Sequence, residues 1–162
     1  STNSYAALHA GAANPIGRFD HLPVFVTRIK LDASTITNMR LWCGLSSSLL
    51  QTTATPTTQS TAAFGYDSGI DGSVHLYAVT CDGASGVTRS DTGVSVTTSG
   101  VYDLAIDARS SPYLFYVNGA LTNSISTNLP SSTAAFYMFD SLTTLTNTAI
   151  NLRSDCVGMT AK

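Results

Sequence analysis

Beyond residue 23, hydrophobic and polar positions alternate in short runs separated by turn-forming residues. Over Val24–Leu31, Phe25, Thr27, Ile29 and Leu31 oppose Val26, Arg28 and Lys30. Met39, Leu41, Cys43 and Leu45 share one side of the next run, and Ala62–Tyr66 makes a third. Asp67-Ser68-Gly69 and Asp71-Gly72 end that run, since Asx and glycine residues favour turns. Val74, Leu76 and Ala78 then face away from His75, Tyr77 and Val79, until Asp82-Gly83 turns the chain. The cleanest alternation is Val101–Asp107, with Tyr102, Leu104 and Ile106 inward and Asp103 and Asp107 outward. Tyr113–Val117 and Ala120–Ser126 flank Asn118-Gly119, the dipeptide favoured in type I′ hairpins because both positions take positive φ. Ala134–Phe139 and Thr148–Leu152 supply the last runs, and Gln51–Ser60, rich in Thr and holding Pro56, reads as a loop. No stretch sustains a 3.6-residue period, so the pattern predicts roughly eight to ten strands in an all-β, antiparallel two-sheet β-sandwich.

Residues 1–22 lack this alternation and read as an extended N-terminal arm, followed by the sandwich over 23–155 and a C-terminal tail over 156–162. Tyr5, Leu8, Ile16 and Phe19 are spaced along the arm. Too sparse for a core yet costly to leave in water, they are expected to dock on a neighbouring subunit or a capsid protein, ordering only on binding.

Composition sharpens this picture. Charged residues make up only 11% of the 162, with no Glu and Lys at Lys30 and Lys162 alone. Ser and Thr replace them, removing helix-favouring residues and leaving Thr, Val, Tyr and Phe, which suit pleated sheets. A formal net charge of −2 carries no basic footprint for nucleic acid. No apolar run is long enough to cross a bilayer as a helix.

The strand motifs also resemble a known module. Arg40-Leu41-Trp42-Cys43-Gly44-Leu45, Ala62-Ala63-Phe64-Gly65-Tyr66 and Leu76-Tyr77-Ala78-Val79-Thr80-Cys81-Asp82-Gly83 carry the similarity. It continues through Asp91-Thr92-Gly93-Val94, Phe115-Tyr116-Val117-Asn118-Gly119 and Thr127-Asn128-Leu129-Pro130, covering about residues 24–153. Together they resemble the concanavalin-like or jelly-roll sandwich of tailed-bacteriophage virion structural proteins. The resemblance implies a non-enzymatic component on the particle surface with no catalytic, cofactor or metal residues. Capsid decoration (cement) is the first expectation, with major capsid or tail subunits as partners and a homo-oligomer, a trimer, as the assembly. A tail or fibre protein, or a lectin-like module binding a surface glycan for host attachment, is the alternative.

Chemistry in the sequence is sparse. Gly-x-Ser-x-Gly is absent, and a glycosidase would need two carboxylates at a set separation. Asp67-x-x-x-Asp71-Gly72 has Gly69 where a calcium loop has a ligand and lacks the closing Glu, so Asx turns explain it. Cys43 reads as a small core hydrophobe, whereas Cys81 and Cys156 leave a disulfide open. The aromatics Trp42, Tyr66, Tyr77, Tyr102, Tyr113, Tyr116 and Tyr137 could serve the core or a binding platform. Alternation sets Trp42 and Arg40 on the face opposite Leu41 and Cys43. There they form a contact surface for sugar or protein, or lie beneath an oligomer interface or covering loop, and burial is the preferred reading.

Overall fold

The computed structural model describes residues 5–10, 14–50, 53–84, 86–146 and 150–160, and the side chains of 14–50, 53–84, 86–146 and 150–154. The strands are β1 (Tyr5–Ala10), β2 (Gly17–Arg18), β3 (Val24–Ala33), β4 (Met39–Ser46), β5 (Ser60–Asp67) and β6 (His75–Asp82). They continue with β7 (Val87–Ser95), β8 (Val101–Asp107), β9 (Tyr113–Val117), β10 (Ala120–Ile125), β11 (Ala135–Thr144) and β12 (Ile150–Thr160). Two antiparallel sheets result. The seven-stranded sheet has the order β1-β11-β4-β5-β6-β7, with β2 also on β11, and the five-stranded sheet runs β10-β9-β8-β3-β12. The predicted two-sheet sandwich is thus what the chain forms.

The alternating runs explain the layers. Leu41, Cys43, Leu45, Phe64, Leu76 and Ala78 of the larger sheet meet Phe25, Ile29, Leu31, Leu104, Ile106 and Phe115 of the smaller in one core. Phe64 and Phe115 join the sheets edge to face, their centroids 5.3 Å apart. Burying each such side chain stabilises the fold by about 1.5–3 kcal/mol. The β9–β10 hairpin turns at Asn118 (φ 52°) and Gly119 (φ 80°), as the dipeptide predicts.

The N-terminal segment differs from a free-standing arm. β1 pairs with β11 from Tyr5↔Thr143 to Ala10↔Met138, and β2 extends the same edge at Gly17↔Phe136. A 3-10 turn at Phe19–His21, closed by Leu22 in the left-handed conformation, then carries the chain to the other sheet. Phe19 is thereby buried against Phe136, ring centroids 5.0 Å apart. Ile16 packs half-buried on the same core. The expectation that these two residues form an intermolecular contact is corrected: the nearest apolar surface is the chain's own. Tyr5 and Leu8 fall on β1, and their side chains lie outside the described residues. At the other end, β12 runs on to Thr160 beside Val24, so strand pairing extends into the stretch read as a tail.

Candidate functional site

On the outer face of the seven-stranded sheet, Trp42 lies flat over β5. Gly65 makes this approach possible, because a Cβ there would sit 2.5 Å from Trp42 Cζ3. Leu50 and Thr53, beyond β4, lie against the ring: Trp42 Nε1 donates to Thr53 O at 2.9 Å, and Leu50 joins Trp42, Ala63, Val79 and Phe139 in a second apolar cluster. Trp42 is 1% exposed. A covering loop therefore buries it, one of the two outcomes left open by the alternation.

Arg40 is also withdrawn from the surface. Its Nε donates to Asp67 Oδ2 at 2.6 Å, and the Asp67 side chain is 1% exposed. Arg89 lies over the Trp42 and Tyr77 rings, 5.5 and 4.8 Å from their centroids, and donates twice to Asp71 at 2.8 and 2.6 Å. Asp67 Oδ1 accepts from Gly69 N–H and Asp71 Oδ2 from Asp67 N–H, so both carboxylates serve turns as well as ion pairs. Arg40 is thus corrected from contact surface to one half of a withdrawn ion pair, whereas Trp42 takes the burial preferred for it. The physical reason is that a buried charge persists only where an opposite charge answers it. Toward the β7 edge, His75 Nδ1 lies 2.9 Å from Asp91, whose carboxyl is held low by the Gly93 N–H and by His75.

Among the described residues the opposite, five-stranded face is open. A groove of about 720 Å³ runs over Val26, Ala105 and Tyr116, with Arg28, Asp103 and Asn118 at its rim. Arg28 donates through Nε and Nη2 to the two Asp103 carboxylate oxygens at 2.5 and 2.8 Å. This partner holds the Asp103 carboxyl below the usual range. Asn118 Oδ1 accepts from Asp103 N–H at 2.9 Å, which directs its amide NH₂ away from that contact. Farther along, Arg109 grips both Asp107 oxygens at 2.9 and 2.7 Å. Tyr116 was readable as outward from the inward alternation of Tyr113, Phe115 and Val117, but its role was not separable from that of six other aromatics.

Between the sheets, Asp140 is fully buried. Oδ2 accepts from the Thr27 and Ser154 hydroxyls at 2.7 and 2.8 Å, and Oδ1 has no N–H or O–H donor among the described residues. Burial pushes this carboxyl up, against the opposing pull of the Thr27, Ser154 and Cys43 contacts. Cys43 is a buried free thiol, as expected of a core hydrophobe, and Cys81 is likewise free and buried. The side chain of Cys156, the other half of the disulfide left open, lies outside the described residues.

No family model matches the chain, and no curated protein matches it. Solved structures do. The Caenorhabditis elegans galectin LEC-6 aligns at 12% identity and TM-score 0.51, covering 98% of this chain and 91% of its own. A glycoside hydrolase family protein from Mycobacterium thermorestibile aligns at 10% identity and TM-score 0.59, covering 86% of this chain and 63% of its own. A polysaccharide lyase family 18 structure gives 10% identity, TM-score 0.53 and coverage of 94% and 89%. The likeness is one of fold. It supports the concanavalin-like jelly roll, and fold alone does not set function.

Proposed function

We propose that this chain is a non-catalytic recognition sandwich, carried on the surface of a bacteriophage particle and binding carbohydrate through the five-stranded face. The observation that supports it is the open groove at Tyr116, where an apolar floor meets paired donors and acceptors. An aromatic ring offers a flat apolar surface to the C–H face of a sugar, and fixed polar groups orient its hydroxyls. The galectins among its fold neighbours agree with a lectin-like module at the level of architecture.

Catalysis by paired carboxylates has little support at this groove. A general acid needs a carboxyl with a raised pKa within reach of substrate. Asp103 and Asp107 are held low by their arginines, whereas the carboxyl pushed up, that of Asp140, is sealed between the sheets. The particle setting rests on the resemblance of the strand motifs to phage virion proteins.

The test is a glycan array probed with the purified chain and with Tyr116→Ala. Binding by the first and not the second is expected. An array silent for both, with the protein folded, would refute the carbohydrate reading.

A second reading keeps the same particle but makes the chain a cement or fibre protein that holds capsid or tail subunits, itself assembling as a homo-oligomer or trimer. It is favoured by β1 and β12, outermost strands of six and eleven residues whose outer backbone edges can pair with a neighbouring chain. Rebinding to particles depleted of the chain, located by density, would favour it. Light scattering that shows a monomer both alone and with capsids would count against it.

A further inference from the structure

We infer that the groove on the five-stranded sheet selects uncharged oligosaccharides over anionic ones, and takes them running across the strands. This rests on the carbohydrate reading of the groove and narrows it to a ligand class.

The floor is one register row. Leu121 of β10 pairs with Tyr116 of β9, Tyr116 with Ala105 of β8, and Ala105 with Val26 of β3. Directly opposed residues project to the same face of a sheet. The four side chains therefore form an apolar stripe perpendicular to the strands, about 14 Å long at the usual spacing of about 4.8 Å per strand. Val26 and Leu121 are 41% and 54% exposed, so the stripe faces solvent at both ends. Ala105, the smallest member, sits between Tyr116 and Val26 and lowers the floor there. An extended chain of sugar rings fits a stripe of this direction better than a single ring does.

The flanks set the charge preference. One row away lies Arg28–Asp103, and one row to the other side Arg109–Asp107, each bidentate. The rows on both sides of the stripe therefore present N–H donors and carboxylate acceptors as matched pairs of opposite charge, Arg28 and Asp103 lining the groove itself. A hydroxyl is donor and acceptor at once, so it can bridge the exposed atoms of such a pair without breaking it. A carboxylate or sulfate is an acceptor only. To reach either arginine it must displace an aspartate or lie beside one, and like charges in contact oppose binding. Asp103 and Asp107 are held low by their arginines, so both pairs keep this character through neutral and mildly acidic pH. Asn118, with Oδ1 already engaged, adds a donor at the Arg28 end.

The test is calorimetric titration of the chain with neutral hexose oligosaccharides and with uronate- or sulfate-bearing oligosaccharides of equal length, at low salt and at about 0.5 M, where charge interactions are screened. Neutral ligands should bind with little salt dependence, and anionic ones about tenfold more weakly, the effect of one unfavourable charge contact. Asp103→Asn removes the negative charge that an anionic ligand would meet beside Arg28 and should bring anionic affinity up toward that of the neutral ligand, in a salt-sensitive way. Tyr116→Ala should lose both. Anionic ligands bound more tightly by the unaltered chain, with affinity falling as salt rises, would overturn this inference and leave the carbohydrate reading standing. No binding of either class by the folded protein would overturn both. Neutral binding that survives Tyr116→Ala would place the site elsewhere and overturn the assignment to this groove.

Discussion

Replacing Asp140 by Asn should change how stability depends on pH. The carboxyl sits between the sheets at 0% exposure, with two hydroxyl donors on Oδ2 and, among the described residues, the weak Cys43 thiol beside it. Desolvation dominates, so its folded pKa lies above the unfolded value of about 3.9. The sign follows from linkage. The folded state holds this proton after the unfolded state has released it, so the contribution to stability is complete below about pH 3.9 and is lost as pH rises through the folded pKa. Within that window the loss is at most about 1.4 kcal/mol per pH unit, the value for one proton. The Asp140→Asn variant would keep a carbonyl acceptor for Thr27 and Ser154 but would have no proton to lose. Urea denaturation of both proteins from pH 3.5 to 8, a range set by about half a unit below the unfolded pKa and several above it, isolates the effect. The difference between the curves also cancels the opposite slopes from Asp91, Asp103 and Asp107, whose carboxyls are held low. The wild-type protein should lose ground to the variant above about pH 4 and then level off. A difference that is constant across this range would refute the account of Asp140 as a buried, proton-holding group.

Two further outcomes follow from the packing. Trp42→Ala should cost about 3–5 kcal/mol in chemical denaturation, since it empties the pocket beneath Leu50 and Thr53, and should increase protease cleavage near these residues. A cost below about 1 kcal/mol would show the ring to be a surface group. Phe19→Ala should also cost about 3–5 kcal/mol, measured as a fall in Tm for the isolated chain, because Phe19 is core and stacks on Phe136. An unchanged Tm with weakened binding to neighbouring subunits would restore the reading of Phe19 as an intermolecular contact.

The architecture was legible in the alternation because period two is a local property of a strand: Tyr102, Leu104 and Ile106 had to share a face, as did Asp103 and Asp107. The Asn118-Gly119 turn was legible for the same reason, since positive φ at two successive residues is a local steric demand. β7 carries no such signal: it is an edge strand with no fully buried residue over Val87–Ser95, and a strand without a buried face has no hydrophobic period to read. Phe19 was misread because a single aromatic in an aperiodic segment looks the same whether it meets its own core or a partner's.

Alternation by itself determined which side of β4 Trp42 takes and that Tyr116 points away from the core. What covers each face was decided only by tertiary structure. Leu50 and Thr53 close over Trp42, Asp67 and Asp71 neutralise the two arginines there, and the other face stays open among the described residues. The candidate site depends on the same kind of non-local fact. Leu121, Tyr116, Ala105 and Val26 stand in one row only because four strands pair in that register, bringing together residues from positions 26 to 121. Register is set by the whole set of buried faces at once, so no window of the sequence contains it.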